Sequence, residues 1–209
     1  MARDVLLVVL MTVCCLLPSE VVGLQLCDLL SDFDCTHSND PSFQGTAAVL
    51  VRQRKNDQIR KMHFPRIGRS KDPTLDVVFQ LKTFARLALS TTHPLCTKEG
   101  RMKDRCQWCP PLFPRFQSSK SGPLPTARHL RRQQVRDIVQ AAMSAIGLDP
   151  SRFSAVSARK GGLSVAIEHQ VPECVLWLQS GHAQSVAARR YIHLSSPLLL
   201  FHTWAAFDL

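Results

Sequence analysis

The sequence predicts a mainly α-helical fold with one small antiparallel β-sheet (α+β). Three patterns predict it. Two basic runs of branched and aromatic residues, "TAAVLVRQRK" and "IRKMHFPRI", flank "NDQ", a turn-forming spacer. Leu75 to Leu89 has an approximate helical stripe at Leu75, Val78, Phe79, Lys82, Phe84 and Leu87. Val135, Ile138, Val139, Ala142 and Ile146 recur at i, i+3, i+4 and i+7.

Taken in order, residues 46–67 are read as the β-hairpin, followed after "KDPT" by the helix at 75–89. A loop rich in Cys, Pro and charge comes next, ending in "PPLFPRFQSSKSGPLP", which its prolines and its Gly and Ser clusters mark as irregular. Thr126 is expected to cap the next helix, with Arg128, Arg131, Arg132 and Arg136 crowding its first turns and Gly147 ending it. Short helices over "ARKGGLSVAIEHQ", "PECVLWLQSG" and "SVAARRYIH" complete the body. No repeat and no low-complexity tract is present.

The chain has 209 residues, which suits one domain plus a small appendage, and 45% of them are apolar, enough for a sizeable core. Lys and Arg outnumber Asp and Glu by 26 to 16, a net charge of +10, and they cluster in "VRQRKNDQIRK", "FPRIGRSK", "KEGRMKDR" and "ARHLRRQQVR". Clustered positive charge points to an extended polyanion, most often nucleic acid, with an ordinary solvated basic surface as the alternative. The tail "PLLLFHTWAAF" is too short to cross a bilayer and is interrupted by His202, so no membrane is expected.

The opening "MARDVLLVVLMTVCCLLPSEVVGL" has two readings, an export signal or a first buried helix. The answer decides what the eight cysteines mean. Four disulfides would suit a secreted basic protein. Against that, Cys14 and Cys15 are adjacent inside the apolar run, and Cys174 lies in a helical pattern, as reduced core residues do.

The stretch "SARKGGLSVAIEHQVPECVLWLQSGHAQSVAARRYIH" places Arg159 before a small-residue helix, His182 after a glycine and Tyr191 nine residues beyond. In order and spacing it resembles the carboxy-terminal signature of the tyrosine recombinases, the phage-integrase family. "VLVRQRKNDQ" is similar to the family's β-hairpin, with Lys55 at its lysine position. "RDVLLVVLMTVCCLLPSEVVGLQLCDL" is similar to the helix-turn-helix that opens the catalytic domain. By that resemblance the apolar run is a core helix, and the protein is intracellular, nuclear or cytoplasmic, and not secreted.

The resemblance implies a tyrosine recombinase catalytic-domain fold over residues 1–193, followed by an apolar tail at 194–209. It implies that Tyr191 attacks a DNA phosphodiester to leave a 3′-phosphotyrosine. Arg159 and His182 would stabilise the charge that develops on the phosphate, and Lys55 would protonate the departing oxygen. No cofactor is needed, because the phosphotyrosine stores the bond energy. Arg128, Arg131, Arg132, Arg136 and Lys160 are the expected contacts with double-stranded DNA. Two family positions depart from the pattern. Leu17 stands where an arginine precedes "Pro-Ser-Glu", and Val156 stands where a histidine lies three residues before the second arginine. Impaired cleavage is therefore expected, as in a mobile-element copy. The alternatives are a non-catalytic DNA-binding domain that kept the fold and a type IB topoisomerase, which shares fold and nucleophile. The family's amino-terminal clamp domain has no counterpart before Arg3, which predicts a fragment or a decayed copy. The tail, with Leu198, Leu199, Phe201 and Trp204 after Pro197, is expected to join protomers into a homo-oligomer on DNA.

Independently of the resemblance, His93, Cys96, Cys106 and Cys109 are spaced H-x2-C-x9-C-x2-C within residues 91–110. Two ligand pairs around a polar loop predict a structural zinc site in an insertion, with loose loop cysteines as the alternative.

Overall fold

A computed structural model describes residues 2–31, 47–52, 63–70, 72, 74, 76–88, 109–120 and 122–181. The opening apolar run is the central helix, α1 (Ala2–Val13). Leu6, Leu7, Leu10 and Met11 are buried along it, joined by Val13, Cys14 and Leu16. Fully burying a side chain of this size is worth roughly 1.5–3 kcal/mol, so Leu7, Leu10, Met11 and Leu16 anchor the core. Around α1 pack α3 (Val77–Ala88), α4 (Arg132–Ala145) and α5 (Ser157–Glu168).

Helix α1 ends in a Schellman turn. Leu16 N–H reaches the Met11 carbonyl (3.0 Å), and Cys15 N–H reaches that of Thr12 (3.3 Å). The left-handed position is Cys15 (φ 48°), where glycine is the usual choice. Pro18 then opens α2 (Pro18–Gly23), its fixed φ suiting the first helical position.

The predicted hairpin is present and gains a strand. β2 (Ala47–Val49) pairs antiparallel with β3 (Arg66–Ile67), and Val51 bridges to His63. On its other side β2 pairs with β1 (Leu29–Ser31), which the sequence reading missed because "LLS" is too short to show alternation. A buried ion pair ties the two strands: Arg52 contacts Asp28 at 2.6 Å. The hairpin's connecting residues, Lys55 included, lie outside the described residues.

Helix α3 starts two residues later than predicted, because Asp76 caps it by accepting from Phe79 N–H (3.0 Å). Its buried face is Val77, Val78, Leu81 and Phe84; Phe79, placed in the predicted stripe, is 48% exposed.

Two expectations are corrected in the next segment. The proline-rich stretch is not irregular but a second antiparallel ribbon, β4 (Pro114–Ser119) with β5 (Gly122–His129), turning where Gly122 adopts φ 111°. Prolines are tolerated there because a free ribbon has outer edges that need no N–H donor. Thr126 does not cap a helix. It sits in β5, where its hydroxyl donates to the Arg115 carbonyl across the ribbon (3.2 Å). Helix α4 begins only at Arg132, and the Gln134 side chain accepts from Arg131 N–H (2.9 Å). Arg128 is therefore a strand residue and Arg131 a helix cap. Val135 and Val139 are buried as predicted, whereas Ile146 has passed the helix end and is 68% exposed.

Helices α5 and α6 (Glu173–Ser180) occupy their predicted positions, and Gly181 (φ 61°) ends α6. Cys14 and Cys15 are buried in the core and form no disulfide. No helix among the described residues is long and apolar enough to cross a membrane.

Candidate active site

Helix α2 begins at the Leu17-Pro18-Ser19-Glu20 turn, where Leu17 N–H donates to Glu20 Oε2 at 2.7 Å. This is the reciprocal half of a capping box; a leucine side chain has no oxygen for the other half. Glu20 is 4% exposed, so its carboxylate requires an internal partner.

That partner is Arg159, in the first turn of α5 and itself 3% exposed. Its Nη1 lies 3.4 Å from Glu20 Oε2, and its Nη2 donates to the Ser180 carbonyl at 3.1 Å. One carboxylate oxygen thus accepts from the Leu17 backbone and faces the Arg159 guanidinium. At this separation the attraction is about 5 kcal/mol with an effective dielectric near 20, comparable to the cost of desolvating the ions. The pair therefore holds geometry more than it adds stability.

Val156 caps α5 three residues before Arg159, which places both on one side of the helix's first turn. Ser180 ends α6 immediately before Gly181. Three separated segments, the starts of α2 and α5 and the end of α6, converge on the Arg159 guanidinium. Cys15 also borders it. Burial pushes the Cys15 thiol up to about 12 against the opposing pull of Arg159, so it is neutral at physiological pH.

Gln179 went unnoticed in the sequence. Its amide nitrogen donates to the carbonyls of Val13 (3.1 Å) and Arg66 (2.7 Å), and its oxygen accepts from Arg66 N–H (3.1 Å). His63 Nε2 donates to the Gln179 carbonyl (2.9 Å). The end of α6 is thereby pinned to α1 and β3. A half-exposed glutamine in a helical pattern carries no sequence signal for this.

Of the other predicted residues, Arg128, Arg131, Arg132 and Arg136 are all exposed, on β5 and around the start of α4, while Lys160 is half-buried on α5. His182 and Tyr191 lie outside the described residues, as do His93, Cys96 and Cys106. Cys109 is buried, and its carbonyl accepts from Gln25 Nε2 (3.0 Å). Among the described residues no cluster of three or more His, Cys, Asp or Glu forms a metal site.

No protein-family model matches the chain, and no curated protein matches it. Solved structures do. The chain is similar to the XerH site-specific recombinase bound to palindromic difH substrate in a post-cleavage complex. The TM-score is 0.60 at 14% identity, covering 95% of this chain and 44% of that one. It is also similar to XerH bound to difH substrate in a pre-cleavage complex, with TM-score 0.56 at 13% identity over 95% and 45% of the two chains. The chain thus spans less than half the length of these recombinases. With its helices around α1 and its small antiparallel sheets, it has the fold of a tyrosine recombinase catalytic domain.

Proposed function

We propose that the chain is a DNA-binding, recombinase-like domain that breaks and rejoins strands through a 3′-phosphotyrosine at Tyr191, with cleavage weakened by Leu17 and Val156. The observation that carries this reading is the convergence on Arg159, with Leu17 and Arg159 meeting at one Glu20 oxygen. In the proposed reaction the Tyr191 hydroxyl attacks the phosphodiester. The Arg159 fork and His182 donate to the phosphate oxygens as charge builds, and Lys55 protonates the leaving 5′-oxygen. A second reading, a DNA-binding domain without cleavage, is favoured by the two apolar substitutions themselves.

Both readings require DNA binding, and it is testable at once. Arg131 and Arg132 are exposed at the start of α4, whose amides add positive potential. Arg131→Ala with Arg132→Ala should reduce the slope of log affinity against log salt by about 1.8, two phosphate contacts' worth. An unchanged slope would remove this helix end from the interface.

A structural zinc held by His93, Cys96, Cys106 and Cys109 is part of the proposal, supported by their spacing and by the burial of Cys109 beside the body of the fold. Purified protein should then carry about one zinc per chain, and Cys106→Ser should release it with a lower melting temperature. Equal melting of metal-free and metal-loaded protein would count against a structural metal.

A further inference from the structure

Beyond the site, the most unusual surface is the β4–β5 ribbon with the start of α4. Residues 114–136 hold six cations, Arg115, Lys120, Arg128, Arg131, Arg132 and Arg136, and no Asp or Glu. From Phe116 to Lys120 every residue is exposed, as are Leu124, Pro125, Ala127 and Arg128 on the return strand. The ribbon projects from the body, yet its base is fastened. Arg3 donates to the Pro114 carbonyl (2.9 Å) and lies over the Phe116 ring (4.8 Å). Arg115 donates to the His129 carbonyl (2.7 Å), and His129 Nδ1 donates to the Val22 carbonyl of α2 (2.8 Å). The arm is thus anchored to the helix that carries Glu20.

Three features identify its occupant. Five strand steps from Pro114 to Ser119 give a reach of roughly 17 Å, enough to cross a DNA major groove about 12 Å wide. The ribbon face opposite Phe116 presents Gln117 paired with Leu124, a hydrogen-bonding amide beside an apolar side chain 53% exposed. Finally, Pro123 and Pro125, two residues apart on β5, each lack an N–H, so this stretch of its edge offers no donor to a further strand from a protein partner.

We propose that the β4–β5 ribbon is a DNA-contacting arm that extends the phosphate-binding surface from the start of α4 across a groove. The proposal rests on the DNA-binding reading above. Its test keeps the two separable, using the full chain and a labelled mixed-sequence duplex. Lys120→Ala with Arg128→Ala, both exposed, should lower the salt slope by about 1.8. Between ~50 and ~200 mM salt the parent would then lose about twelvefold more affinity than the variant. A photocrosslinking residue at position 118 should attach to DNA in otherwise unaltered protein. An unchanged slope with no DNA crosslink at 118, or a crosslink to a second copy of the chain, overturns the arm. Sensitivity to Arg131→Ala with Arg132→Ala would in that case still leave DNA binding standing. A parent chain without salt-dependent affinity for duplex overturns both.

Discussion

Gly162→Ala is expected to abolish folding or to cost at least about 3 kcal/mol, the upper part of the range for overpacking a core. Gly162 lies where α5 crosses α1, and a Cβ built on it would overlap the Thr12 carbonyl oxygen. Because that obstacle is backbone, no rotamer change relieves it. Shortening the Thr12 side chain should give no rescue. The neighbouring Gly161 is exposed with nothing near its missing Cβ, so Gly161→Ala should stabilise the same helix by about 0.5–1 kcal/mol. The two substitutions are one residue apart and identical in chemistry. Thermal unfolding should nevertheless separate them in sign, and a Gly162→Ala protein that melts with the parent would refute the close helix crossing.

Leu17→Arg combined with Val156→His should raise covalent trapping on a nicked suicide DNA by ~10²-fold or more. Removing one preorganised donor from a developing oxyanion typically costs 10²–10³ in rate, and effects at one site need not add. Leu17 is half-buried at the start of α2, and Glu20 lies between it and Arg159. A new cation at position 17 would therefore share that carboxylate rather than confront the existing guanidinium. Tyr191→Phe in the restored background should eliminate the adduct. Efficient trapping by the parent, or an adduct mapped to another residue, would sink the explanation.

Particular residues show why the sequence was legible in some places and not in others. The stripe of α4 was readable at Val135 and Val139, since a helix with one wet face repeats its apolar residues every three or four positions. The start of that helix was misplaced because Thr126 is a good cap in isolation, and only its cross-strand bond to Arg115 commits it to β5. The ribbon was hidden by Pro123, Pro125 and Gly122, which resemble loop residues until the pairing Ser119↔Gly122 is seen. In the stripe of α3, Phe79 and Leu81 exchanged their expected places because Asp76, a cap satisfied within the fold, set where the helix begins.

By itself the sequence determined the fold class, the basic charge and the spacing of the residues around Arg159, whereas the burial of the opening run followed from the family resemblance. Periodicity, charge and spacing are local properties. The tertiary structure alone decided that Glu20 holds Arg159, that Ser180 closes the same site and that Gln179 fastens α6 to the sheet. Each joins residues more than twenty, and up to 139, positions apart, and a polar pair at such separation leaves no period for a sequence to display.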